Sequence, residues 1–281
     1  MTEGTGPGRS RAASSSTQSI WRRVLFVCSL LLLVGCVIPP LVVLARRYEW
    51  VEALQFSLFA VGIPALLVLS APWHVLGLSN GSVTEDPDGL TPSGSTLRPA
   101  DRLALGRRRH REPYRAVFVA VLFLAVMVFW RTPVGVNGLV HHASLVALEG
   151  ATLTAAGIAL WLELVESLPL VPRLTRPHRI AMSAICMWTI WVMAYLVGLS
   201  GGSWYTAFAH HAGSGVSVSA DQQLTTAVIW LISGCAFVPL VFWNLFKWLQ
   251  AEEDPDQALH HLVRMERTRG GAAEGSRPSP S

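Results

Sequence analysis

Six apolar runs dominate the sequence, at residues 24–45, 51–76, 116–130, 141–168, 180–199 and 224–246. About 20 apolar residues coiled as a helix span the hydrocarbon of a bilayer, where every backbone amide must be satisfied within its own segment. Composition agrees. Of 281 residues 51% are hydrophobic and 14% charged, and the mean hydropathy is +0.42, whereas a soluble domain carries roughly 25% charged residues. The chain is therefore predicted to be an all-α integral membrane protein, a bundle of about six transmembrane helices and a multi-pass resident of the cell (cytoplasmic) membrane.

The first run follows Trp21-Arg22-Arg23 and could be a signal-peptide core. It holds 22 residues, lacks an Ala-x-Ala cleavage site and ends at Arg46-Arg47, which favours an uncleaved span. Pro39-Pro40 should kink or end that helix. Residues 1–19 are rich in Gly, Ser, Thr and Arg and predict a disordered cytoplasmic tail. Residues 20–248 form the polytopic domain, interrupted by a polar, Arg-rich linker over 79–113 with a turn at Pro87-Asp88-Gly89. The third run is short, so Arg115 and Arg131 would snorkel or the helix would take in part of its flanks. Residues 249–281 read as a solvated cytoplasmic tail.

Orientation follows from the basic residues. Counting Lys and Arg, the N-terminal segment, the 79–113 linker with Arg115, the connection between the fourth and fifth runs and the C-terminal tail hold 19, against 3 (Arg46, Arg47 and Arg131) in the other loops. That excess predicts both termini in the cytoplasm. It also accounts for a pI near 9.2 without a nucleic-acid partner. The lipid bilayer is the first partner implied. Cys28, Cys36, Cys186 and Cys235 all fall within apolar runs with no Cys-x-x-Cys pair, as buried packing residues would.

The same topology sorts the polar residues. On the outer side lie His141, His142, His210 and His211, with Glu49, Glu52, Glu149 and Asp221. Glu149 lies inside an apolar run, and an ionisable side chain at membrane depth is a functional-site hypothesis by default. If one helix ran through residues 142–149, seven residues would turn it through about 700°, leaving His142 and Glu149 on one face about 10.5 Å apart along the axis. Imidazole with carboxylate suits copper, zinc or iron. Each residue has a plainer reading too. Histidine pairs in loops are solvated or interfacial, Glu49 and Glu52 would be a solvated helix start, and Ser219 to Gln222 fits a capping box with Asp221 in the first turn.

Asp221-Gln222-Gln223, followed by Leu224 through Trp230, resembles the Asp-Gln-Gln…Met-Trp segment of the polytopic cytochrome c oxidase assembly factor CtaG family. Ala147-Leu148-Glu149, with Gly157 and Trp161 beyond, is similar to that family's Ala-Leu-Glu-His…Gly…Phe-Trp helix. Trp204-Tyr205 fits its outer loop, and the run from Pro64 to Pro72 resembles its Pro-Pro-Leu-Leu…Gly-x-Pro segment. The resemblance covers about residues 20 to 250. There are departures. The family's His-Met-x-x-His motif falls where this chain has Glu52 and Phe56, its other histidines fall at Val146 and Gly150, and its further N-terminal span has no counterpart.

The resemblance implies a non-enzymatic membrane factor for assembly of a haem-copper oxidase, with an oxidase subunit or another integral membrane protein as partner. If copper is its cargo, His141, His142, His210, His211, Glu149 and Asp221 are the candidate ligands. The alternatives are a divergent scaffold or subunit-like partner of a respiratory complex that binds no metal, and a small transporter with Glu149 in an ion path. The chain has no recognisable nucleophile–base motif.

Overall fold

In a computed structural model, residues 8–79, 98–109, 112–199, 204–208 and 217–252 are described. The turn expected at Pro87, the pair His210 and His211, and the tail beyond residue 252 lie outside them. The helices are α1 (Gly8–Val37), α2 (Pro39–Ala45), α3 (Glu49–Ser57), α4 (Ile63–Leu69), α5 (Pro72–Val75), α6 (Pro99–Arg109), α7 (Pro113–Trp130), α8 (Pro133–His141), α9 (Leu145–Leu164), α10 (Arg176–Gly198) and α11 (Val218–Glu252). No strand occurs among the described residues. Six helical segments are long and apolar enough to cross a membrane.

The second of these, Glu49–Leu69, is the axis of the bundle: 72% of its apolar window is buried, against 11–39% for the other five. α3 and α4 are joined through a π-helical turn, Leu58–Gly62. The cause is Pro64. It has no N–H to give back to the preceding turn, and in π register the carbonyl it leaves free is that of Phe59. Thr154 of α9 donates its hydroxyl to that oxygen at 3.3 Å. Gly157 lets α9 come this close, because a Cβ there would lie 2.5 Å from the Ala60 carbonyl oxygen and 2.6 Å from Pro64 Cγ. Phe56, Phe59, Ile63, Phe123, Met127, Leu153, Leu160 and Phe237 fill the core around this contact.

Several sequence expectations change. Helix α1 begins at Gly8, inside the stretch expected to be a disordered tail; the Ala and Arg residues before Ser14 are good helix formers and carry the first span backward. The third span does take in its flank, as one of the two expectations for it had it: it is 18 residues long and starts at Pro113, which sits in the first turn where its missing N–H costs nothing. Part of the 79–113 linker is helix α6, whose Arg107 docks on Glu163 at the far end of α9. The fourth run does not open as a helix at His141: that residue ends α8, which lies before the run, and α9 begins only at Leu145. Cys28 and Cys235 are exposed on spanning helices, and only Cys36 and Cys186 are buried.

Candidate functional site

Glu49 opens α3 and Arg131 follows the last residue of α7. Glu149 lies one turn into α9, and Asp221 lies in the first turn of α11. These four helix ends meet at one end of the bundle, and the polar groups there point inward. Glu49, Glu52 and Glu149 are at most 3% exposed, and Arg131 is 3% exposed. The solvated helix start expected of Glu49 and Glu52 is therefore wrong. Both are charged residues on the buried face of the most enclosed helix, and their neighbours explain why.

Arg131 Nη1 donates to Glu52 Oε2 in a buried ion pair. The guanidinium lies 5.1 Å from the Phe56 ring centroid and 5.4 Å from that of Tyr205, a cation between two aromatic faces. Tyr205 donates its hydroxyl to the Arg131 carbonyl oxygen at 3.0 Å. Burial works against the charge of Arg131, and Glu52 and Glu49 outweigh it, so the guanidinium is held above its usual range. Burial pushes the Tyr205 phenol up to about 12, with Arg131 opposing. Arg131 therefore points inward and does not snorkel.

Asp221 has a role beyond its own helix. Its carboxylate accepts from the Glu49 and Trp50 backbone N–H groups at 2.9 and 3.0 Å, so it caps α3 from 172 positions away. Tyr48, at the N-cap of α3, offers no side-chain cap. A carboxylate on the first-turn N–H groups also meets the positive end of the helix dipole. Within α11 the cap is Ser217, whose hydroxyl accepts from the Ala220 N–H at 3.2 Å, two residues before the Ser219 start expected from the sequence.

Glu149 and Glu52 line a cavity of about 10 Å³ together with Gln55, Val146, Leu139 and Arg46, a space the size of one water molecule. One oxygen of each carboxyl, Oε1, has no hydrogen-bond partner among the described residues, and the same holds for Glu49 Oε1 and for Arg131 Nε and Nη2. Gln55 uses its amide to close α1. Pro40 cannot donate to the Cys36 carbonyl, and Gln55 Nε2 does so in its place.

The histidines stand elsewhere. His141 ends α8 and its Nδ1 meets the Asn137 carbonyl at 2.6 Å; His142 leaves the helix in an extended conformation with its N–H on Gly138 O. Both side chains are exposed. The single helix that would have set His142 and Glu149 on one face is thus broken over residues 142–144, with Glu149 turned into the bundle. Among the described residues no group of three His, Cys, Asp or Glu side chains could hold a metal ion. The groups around Glu149 are carboxyl, amide and guanidinium, with the buried Cys36 thiol near it, and copper(I) favours thiolate, thioether and imidazole.

Sequence reasoning placed Glu149 and Asp221 correctly at this end but missed Gln55 and the inward turn of Arg131. One signal was available: Arg131 is one of only 3 basic residues on its side of the sequence-derived topology.

A cluster of this kind at the helix ends of a six-span bundle can be set beside known proteins. The family model described as cytochrome c oxidase caa3 assembly factor (Caa3_CtaG) matches residues 4–251. The chain belongs to this family. The match runs through all six spans of this CtaG protein, so the cluster belongs to the family domain. No curated protein and no solved structure matches it.

Proposed function

We propose that this CtaG protein is a non-enzymatic, membrane-embedded assembly factor for a haem-copper cytochrome c oxidase, and that it works from the outer face of the cell membrane. It engages an oxidase component through its helices and the connections at the Glu49 end, and the buried cluster there keeps those connections in register. The family match over residues 4–251 carries this reading. The excess of 19 basic residues over 3 in the loops supports the outer placement of the Glu49 end.

A second reading gives the protein copper to pass on, and the exposure of the adjacent imidazoles His141 and His142 favours it. Neutral imidazole binds copper, and binding would weaken as pH falls and the rings protonate. One experiment separates the two. A strain lacking this chain is complemented with the His141→Ala, His142→Ala, His210→Ala, His211→Ala variant, and assembled oxidase is measured from membrane haem spectra. The docking reading expects oxidase restored to within about twofold of wild type. A loss that excess copper in the medium repairs would replace it with the copper reading.

A further inference from the structure

We propose that Arg107 and Arg173, held together by Glu163 at the end of the bundle opposite Glu49, form a binding site for a phosphate group. Two sources carry that chemistry at a membrane: the headgroup of an acidic phospholipid, and inorganic phosphate in solution.

Glu163 is the last residue but one of the span Leu145–Leu164 and is fully buried. Its Oε1 accepts from Arg107 Nη2 of α6 at 2.8 Å and from Arg173 Nη1 at 2.9 Å. Its Oε2 accepts from the Arg173 backbone N–H at 3.2 Å. Two guanidinium groups thus meet on one carboxylate oxygen, and the cluster carries one positive charge more than it balances. Glu166, the next acid along the chain, does not relieve it, because Arg179 takes it at 2.9 Å. Burial, and the Arg173 charge with it, hold the Arg107 guanidinium below its usual range against the pull of Glu163.

A largely buried charge without its counter-ion is costly, and the donors are not all used. Nε of Arg107 and Nε of Arg173 are buried with no hydrogen-bond partner among the described residues. Both side chains keep a small exposed part, 12% and 14%, through which an anion can reach the pair. A phosphodiester brings one negative charge, which balances the surplus, and oxygens that match the N–H groups of a planar guanidinium. The end of a spanning helix sets the pair at headgroup level, where basic pockets hold acidic lipids. Leu103, one turn before Arg107 on α6, is exposed and offers an acyl chain an apolar side, which favours the lipid as source. None of this depends on the oxidase reading.

The test is thermal unfolding of the purified full chain in neutral detergent. Phosphatidylglycerol is added in one arm, phosphatidylcholine, whose choline cancels the phosphate charge, in a second, and inorganic phosphate against chloride at equal ionic strength in a third. Phosphatidylglycerol is expected to raise the wild-type midpoint by roughly 5 °C over phosphatidylcholine. A rise with inorganic phosphate alone would support the site and name the solution ion as its source. Arg107→Gln and Arg173→Gln each leave Glu163 one arginine and remove the surplus charge, so each should lose the rise. Arg102→Gln, at an exposed arginine of the same helix, should keep it. A wild-type midpoint that neither anion raises overturns the proposal, as does a loss in Arg102→Gln equal to that in Arg107→Gln. If neither glutamine variant folds, Arg107→Lys, which keeps the charge but lacks the planar fork, should show a smaller rise, and an undiminished one overturns the proposal.

Discussion

At the Glu49 end, carbonyl groups freed where helices stop are taken up by single side chains from distant elements. Tyr205 donates to Arg131 O, Gln55 to Cys36 O, Gln222 to Val197 O and Arg46 to Val140 O. Such bonds matter because an unsatisfied buried carbonyl costs about 1–3 kcal/mol. Tyr205 gives a test with a defined sign. Its phenol titrates near 12 in the folded protein and near 10 when unfolded. The native state thus keeps a proton that the unfolded chain loses, and this contribution is intact below about pH 10 and fades as pH rises toward 12. Tyr205→Phe should lower stability at neutral pH by about 1 kcal/mol and flatten that alkaline decline, measured by unfolding across the pH range. Glu149 was legible in the sequence because a lone carboxylate in an apolar run has no cheap explanation. The burial of Glu52 was not, since its partner Arg131 is 79 positions away and a glutamate near a helix start ordinarily faces solvent. Asp221 misled for the same reason: a capping box is a local pattern, and the N–H groups it serves are 171 and 172 positions distant.

Among the elements, the pairing of the central helix with α9 depends on two features that match. Pro64 and the π-helical turn expose carbonyl oxygens on one side, and Gly157 with Thr154 presents a surface low enough, with one donor, on the other. Gly157→Ala would drive a methyl group into a backbone carbonyl, which cannot swing aside. A loss of about 1–3 kcal/mol is expected, seen as a lower unfolding midpoint. Gly150→Ala should be milder, because its Cβ would meet the tip of the Phe59 ring at 2.9 Å and a ring can shift. An undiminished midpoint in Gly157→Ala would contradict this packing. The existence of the spans was legible from apolar runs, since length and lack of charge suffice to mark a helix in lipid. Their ends were not. Pro113 can begin a helix despite the nearby Arg115, which is exposed and pairs with Glu112, and the break over residues 142–144 carries no proline or glycine to announce it.

For the whole molecule, the fold gathers four helix ends and their acids at one end, which we propose, from the excess of basic residues in the other loops, to be the outer one. Labelling with a membrane-impermeant maleimide tests the assignment in a variant whose four native cysteines are replaced. A cysteine at Ser144, exposed beside the cluster, should react in intact cells, and one at Leu103 of α6, also exposed, only after the membrane is opened. The reverse pattern would invert the topology and place the cluster on the cytoplasmic side. Membership of the CtaG family makes assembly of an oxidase the function to account for. The decisive measurement is recovery of oxidase subunits with the tagged full chain, solubilised from native membranes in mild detergent, with and without a copper chelator. The account predicts an oxidase subunit in both samples at equal yield. Its absence from both, or its loss when copper is removed, would contradict it.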